Sequence, residues 1–259
     1  MAEYDHLQVA SDEGVLTITL NRPKANAFND KMIDELMDAL KSAGRDDDVR
    51  CVLLSGEGKL FSAGQDVGAF EGEEVSFRDH LQRTYNRLIL RMRRLEKPIV
   101  AAVNGPAAGA ALGIVLAADI RVAAESAKFV FGFTGIGLTT DSGTSLTLPL
   151  LVGLTRASEM AFTNRPLSAE EAVEVGLANR MVPDDELMDA AGSMAAELAK
   201  GPTKAIGLTK RAFNRAHLGE LEATLDYEAH LQEIAGDTED HQEGLKAFRE
   251  KRDPDFKGR

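Results

Sequence analysis

The chain has 259 residues, 44% of them hydrophobic, which is enough for one large core and too apolar for a disordered protein. A formal net charge of −12 argues against nucleic acid as the main partner, since phosphate recognition needs a basic face. One cysteine, Cys51, excludes an intramolecular disulfide framework and points to a reducing, cytoplasmic setting.

The start, MAEYDHLQVASDEG, is polar and acidic, unlike a secretory or mitochondrial leader. GVLTITLNRP alternates Val15, Ile18 and Leu20 with threonines and stops at a proline, so a strand is expected. NDKMIDELMDALKSAG sets Met32, Ile33, Leu36, Met37 and Leu40 on one helical stripe, with Asn29 or Asp30 as cap and Gly44 as stop. VRCVLLSG reads as a fully buried strand holding Cys51 as a small hydrophobe, and the small-residue loop EGKLFSAGQD follows. SFRDHLQRTYNRLILRMRRLEK is expected to be one amphipathic helix, with Leu81, Tyr85, Leu88, Met92 and Leu95 inward and its arginines solvated.

PIVAAVNG reads as a strand and PAAGAALGIVLAA as a helix entered through Pro106 near its first turn. Asn104-Gly105-Pro106 breaks the apolar run Ile99–Ala118, so it is not read as a membrane span. IRVAAESAKFVF reads as a strand pair or a bulged strand. From Ser168 the pattern turns helical, opening on a Ser168/Glu171 capping box and ending in two helices in the tail. Strand and helix in alternation predict an α/β core to about Gly153, followed by a helical C-terminal portion.

Familiar catalytic signatures are missing. His6, His80, His217, His230 and His241 are scattered, with no pair at metal-ligand spacing, and His80 in RDHLQR reads as a surface residue. GFTGIG has the wrong glycine spacing for a dinucleotide fingerprint, and no G-x-S-x-G elbow or phosphate loop occurs. Two tiny-residue turns remain, FSAGQD and NGPAAGAALG, each after a strand. Such turns let a ligand approach main-chain N–H groups, and a helix N-terminus adds unsatisfied donors, so one N–H from each would form an oxyanion hole. The Gly105/Gly109/Gly113 spacing serves close helix packing equally well, and the two readings are compatible.

RPKANAFND, GEGKLFSAGQD, KPIVAAVNGPAAGAALGIVLAADIRVAAESAKF and NRPLSAEEAVEVGLANRMVP resemble, in order and spacing, segments of the crotonase (enoyl-CoA hydratase/isomerase) superfamily. The resemblance covers essentially the whole chain. It implies an α/β fold: a β-β-α spiral core over 1–195 and a helical trimerisation module over 196–259, assembled as a homotrimer or a hexamer of paired trimers. It implies an acyl group carried as a coenzyme A thioester, with no permanently bound cofactor, metal, nucleic acid or membrane partner. The N–H groups of Ala63 and Ala110 become the oxyanion hole. Arg22, Lys24, Ala25, Gln65, Asp66, Val67, Phe133, Phe248 and Lys251 become contacts to the acyl-CoA.

The two glutamates of the hydratases fall on Gly113 and Phe133, neither of which handles a proton, so hydration is not expected. Asp141, in GLTTDSGTS, resembles instead the acid of the PDxGGT segment in the phenylacetate-pathway isomerase branch, which acts on ring-epoxidised phenylacetyl-CoA. Thr140 stands where that branch has Pro, and Ser142-Gly143-Thr144-Ser145 replaces its Gly-Gly-Thr. Read without the family, Asp141 suits a helix cap for SLTLPLLVG; read with it, Asp141 is the catalytic proton shuttle, its pKa raised by Phe131, Phe133, Ile136 and Leu138. The alternatives are a Δ3,Δ2-enoyl-CoA isomerase, an aryl-CoA dehalogenase or hydrolase, and a non-catalytic RNA-binding or scaffold relative.

Overall fold

The computed structural model describes residues 3–23, 25–70 and 76–259. Leu7–Asp12 (β1) and Val15–Leu20 (β2) pair antiparallel around the turn at Glu13-Gly14. Only Leu7 of β1 is buried, so this edge strand carries almost no periodic signal and is held by its pairing. Asp30–Arg45 (α1) begins at Asn29, whose side chain accepts the Met32 N–H. The helix runs through Gly44 rather than stopping there. Cys51–Gly56 (β3) is buried at every position, and burial pushes the Cys51 thiol up to about 12, leaving it an inert packing group.

The expected single helix after the second turn is two: Phe77–Arg83 (α2) and Tyr85–Arg94 (α3). Between them Thr84 departs from helical geometry (φ −112°, ψ −93°), and its hydroxyl joins its own N–H on the His80 carbonyl. That local bond competes with the helical ladder. Ile99–Val103 (β4) is followed by a two-residue strand, Ala107–Ala108 (β5), and only then by Ala110–Ala117 (α4). Pro106 therefore precedes a strand and not the helix. Ile120–Ala124 (β6) and Lys128–Val130 (β7) are not a hairpin; they enter different sheets.

Thr144–Val152 (α5), Leu154–Thr163 (α6), Leu167–Ser168 (β8), Ala169–Glu174 (α7) with its capping box, and Arg180–Val182 (β9) come next. Leu187–Lys200 (α8), Thr203–His217 (α9), Leu221–Gly236 (α10) and Glu239–Glu250 (α11) complete the chain.

The larger sheet runs β1-β2-β3-β4-β6-β9, parallel from β2 onward. A second ladder climbs in step beside it. Bridges Phe28–Gln65 and Ser62–Ala107 lead into β5, which pairs with β7, which pairs with β8. Each turn of chain thus adds one strand to the large sheet and one short extended piece to the small one, which is a spiral in the crotonase manner.

Alternation along the strands separates two cores. Val52, Leu54, Ala101 and Val103 pack with α1, α3 and α4, whereas Cys51, Leu53, Val100 and Ala102 pack on Leu187, Ala191, Ala195 and Ala199 of α8. The 195/196 division thus falls within one helix. Arg93 is not on the solvated face. It binds the Ala117 carbonyl and Asp119, and with Arg121 on the Ala118 carbonyl it satisfies the C-terminal end of α4.

Candidate functional site

A cavity of about 600 Å³ opens where the tiny-residue turns meet α2, α3, α10 and α11. Ala63 and Ala110 stand on the same wall, drawn together by the small ladder: Ala108 N–H donates to Ser62 O, and Gly64 comes so near the Ala108 carbonyl that a β-carbon would lie 2.6 Å from it. Gly109 turns the chain into α4 with φ 57° and ψ −127°, a conformation only glycine adopts without strain. Ala110 N–H opens the helix, and among the described residues it meets no acceptor. Ala63 N–H donates to the Ala25 carbonyl at 3.0 Å, so a ligand oxygen reaching it must displace that carbonyl.

Ala25, Gln65, Asp66, Val67 and Phe133 line the cavity, and Phe248 stands, 63% exposed, at its mouth. Arg22 is committed elsewhere: its guanidinium donates to the Ala27 carbonyl and pairs with Asp66 at 2.8 Å, and it is not part of the lining. Lys251 ends α11 in a left-handed turn, outside the lining. Lys24 lies outside the described residues.

Asp141 is 7% exposed and lines the cavity. Its carboxylate does not cap α5. It accepts the Ser142 hydroxyl at 2.7 Å and the Gln232 Nε2–H at 3.1 Å. Capping belongs to Glu228, reaching from α10 to accept the Gly143 and Ser145 N–H groups and the Ser145 hydroxyl. Burial pushes the Asp141 carboxyl up to about 7; the Ser142 hydrogen bond opposes the rise, the neighbouring Glu228 carboxyl adds to it, and the Gln232 bond opposes it. Phe133, Ile136 and Leu138 supply an apolar wall, with Phe131 packed edge-to-face behind Phe133 at 5.1 Å.

Gly113 lies under Ser142, where a β-carbon would come 2.4 Å from the serine Cβ. Of Gly105, Gly109 and Gly113 only Gly113 lies within α4 and serves close helix packing. Gly105 precedes β5 and Gly109 is the N-cap, so the spacing is not a helix-packing stripe, while the N-terminus of α4 leaves a donor open.

Several lining residues were not anticipated. His80 is 3% exposed instead of surface-borne; it faces Asp30, the first residue of α1, at 3.5 Å, and burial lowers its pKa. Tyr85 donates to Gln65 Oε1 at 2.7 Å. Gln232 accepts the Thr139 N–H on Oε1, which aims its Nε2 at Asp141. His241 sets Nδ1 against the Ile136 carbonyl and packs on Phe77. Glu228 and Gln232, four apart on α10, share a helical face, and that spacing was the one available signal.

Residues 10–259 match the enoyl-CoA hydratase/isomerase family. The chain is 43% identical over 253 residues to the 1,2-epoxyphenylacetyl-CoA isomerase of Escherichia coli, covering 96% of this chain and 97% of that one. It is 36% identical over 228 residues to an Arthrobacter 4-chlorobenzoyl coenzyme A dehalogenase, covering 86% and 83%. Among solved structures, an enoyl-CoA hydratase from Mycobacterium avium subsp. paratuberculosis superposes with a TM-score of 0.90 at 35% identity, covering 98% of this chain and all of that one.

Proposed function

This chain belongs to the enoyl-CoA hydratase/isomerase family, and we propose that it is an acyl-CoA isomerase whose proton carrier is Asp141, acting on a ring-epoxidised phenylacetyl-CoA. One observation carries the reading: a buried carboxyl held near pH 7 shares a cavity with the Ala63 and Ala110 amides, while the other lining carboxylate among the described residues, Asp66, is paired with Arg22.

The thioester oxygen accepts the Ala110 N–H and, on displacing the Ala25 carbonyl, the Ala63 N–H. These donors stabilise the enolate that forms when ionised Asp141 removes the proton beside the carbonyl. The proton then returns to a carbon further along the conjugated system. A double bond moves and no atom is gained or lost; on a ring epoxide the same electron flow leads towards the seven-membered oxygen ring. Gly113 and Phe133, at the two positions where the hydratases carry glutamates, offer no acid to deliver water, which favours isomerisation over hydration. The substrate is a coenzyme A thioester, and the working unit is a homotrimer or a pair of trimers.

A purified-enzyme panel of 3-enoyl, 2-enoyl, epoxyphenylacetyl and halobenzoyl thioesters tests this. Isomerised epoxyphenylacetyl-CoA without net hydration supports the reading, and hydration of 2-enoyl-CoA as the main activity overturns it. Asp141→Asn is expected to lower turnover by roughly 10³-fold or more while binding of a coenzyme A thioester stays within a few-fold. Full activity in that variant removes Asp141 from the mechanism.

A second reading, hydrolytic displacement on an aryl-CoA, is favoured by His80, which is buried and lines the same cavity as Asp141. Halide released from halobenzoyl-CoA selects it.

A further inference from the structure

One polar group on the cavity wall has no part in the proton transfer above. Asn164 follows the last residue of α6 with φ 53°, a left-handed conformation where glycine is the unstrained choice and asparagine the best tolerated alternative. Its Oδ1 accepts the Gly132 N–H at 2.7 Å. That bond orients the amide, because the end facing a backbone donor is the oxygen, so Nδ2 points away from Gly132.

Nδ2 lies beside Gly135, whose missing side chain makes room for it: a β-carbon there would sit 2.5 Å from Nδ2. Asn164, Gly132 and Gly135 all line the cavity, next to Phe133 and Ile136. Among the described residues Nδ2 meets no acceptor. By contrast the Tyr85 hydroxyl is committed to Gln65, and the Gln232 amide is committed at both ends, to Thr139 and Asp141.

An oriented donor set in a mostly apolar wall discriminates between ligands. An acyl group carrying an acceptor oxygen pairs with it, whereas a hydrocarbon of the same shape desolvates the N–H and leaves it unpaired. We propose that Asn164 is a specificity-determining residue whose Nδ2–H donates to an ether, epoxide or carbonyl oxygen on the acyl group, so that the enzyme selects oxygenated acyl thioesters over hydrocarbon ones. The proposal rests on the acyl-CoA reading above.

The test uses two unreactive thioesters of matched shape, 2-methoxyphenylacetyl-CoA and 2-ethylphenylacetyl-CoA, titrated calorimetrically into the full-length protein. The wild type is expected to bind the methoxy compound about 5–10-fold more tightly, the range one neutral hydrogen bond supplies. Asn164→Asp keeps the oxygen for Gly132 and tolerates the left-handed turn, but exchanges the donor for an acceptor. Asn164→Gly removes the side chain and relieves the backbone.

Both variants are expected to bring the methoxy-to-ethyl ratio to about one, with affinity for the ethyl compound changed less than about threefold. A purely structural strut predicts that Asn164→Asp keeps the wild-type ratio. That result, or a wild type with no preference, overturns the proposal. Because binding is read without turnover, failure of the isomerase reading appears separately: a wild type that binds with the expected ratio but isomerises no thioester loses that reading alone. A wild type that binds neither compound loses both.

Discussion

Asp141 holds its proton up to about pH 7 because the cavity withholds water from its carboxylate. The same shift has a stability consequence whose sign is fixed. Below about pH 4 the carboxyl is protonated whether the chain is folded or not, and nothing is lost. Between the ordinary value of 3.8 and the folded value of about 7 the unfolded chain ionises first, so stability falls as pH rises, and the loss is complete above 7. A shift of that size corresponds to about 4 kcal/mol. Asp141→Asn cannot ionise; urea titrations are expected to find it close to wild type at pH 4 and more stable by about 2–4 kcal/mol at pH 8. Equal differences at both pH values would show that the carboxyl ionises as freely in the fold as in water.

Helices carry the next layer of design. α10 serves two tasks with two side chains a turn apart: Glu228 caps α5, and Gln232 orients Asp141. Replacing Glu228 with Gln leaves one cap N–H facing an amide donor and withdraws the charge that helps raise Asp141. It is expected to cost about 1–3 kcal/mol in chemical denaturation and to move the acid limb of kcat/KM, centred near the Asp141 pKa, to lower pH; an unmoved limb separates Glu228 from the site. α4 and α5 meet with no room for a methyl at Gly113. Gly113→Ala is expected to destabilise by about 1–3 kcal/mol, and Gly113→Glu, which supplies the acid of a hydratase at that place, by more and without gain of hydration. Melting curves and a 2-enoyl-CoA assay check the two parts.

At the scale of the whole molecule, α10 and α11, expected as parts of an assembly module, roof the cavity: Gln232, His241 and Phe248 are among its lining. Among the described residues no helix is long and apolar enough to cross a membrane. Large apolar side chains nevertheless remain outside. Leu154 is 71% and Phe162 81% exposed, two turns apart on α6 and close to one helical face. Sedimentation equilibrium is expected to return three or six times the 27.9 kDa chain mass, and Phe162→Ser to shift the distribution towards the monomer. A monomeric wild type would remove the assembly from the proposal.

Local signals were sufficient wherever a side chain acts through its own neighbours in sequence. The alternation in β2, the apolar run of β3, the stripe of α1 with its Asn29 cap and the Ser168/Glu171 box all record interactions spanning a few residues, and each is found where the pattern predicts it. Asp141 and the two small-residue turns were legible too, through motifs. The remainder depended on chain segments far apart in sequence. β1 exists because β2 offers it an edge, Thr84 breaks a helix whose apolar stripe is continuous, and His80 is buried because α3 and α10 pack on α2. The Asp141 carboxyl is left facing the cavity rather than capping α5 because Glu228, 87 residues later, takes the capping role. Periodicity reports which face of an element is apolar; which polar group is left without water, and beside what partner, is settled only when distant elements pack.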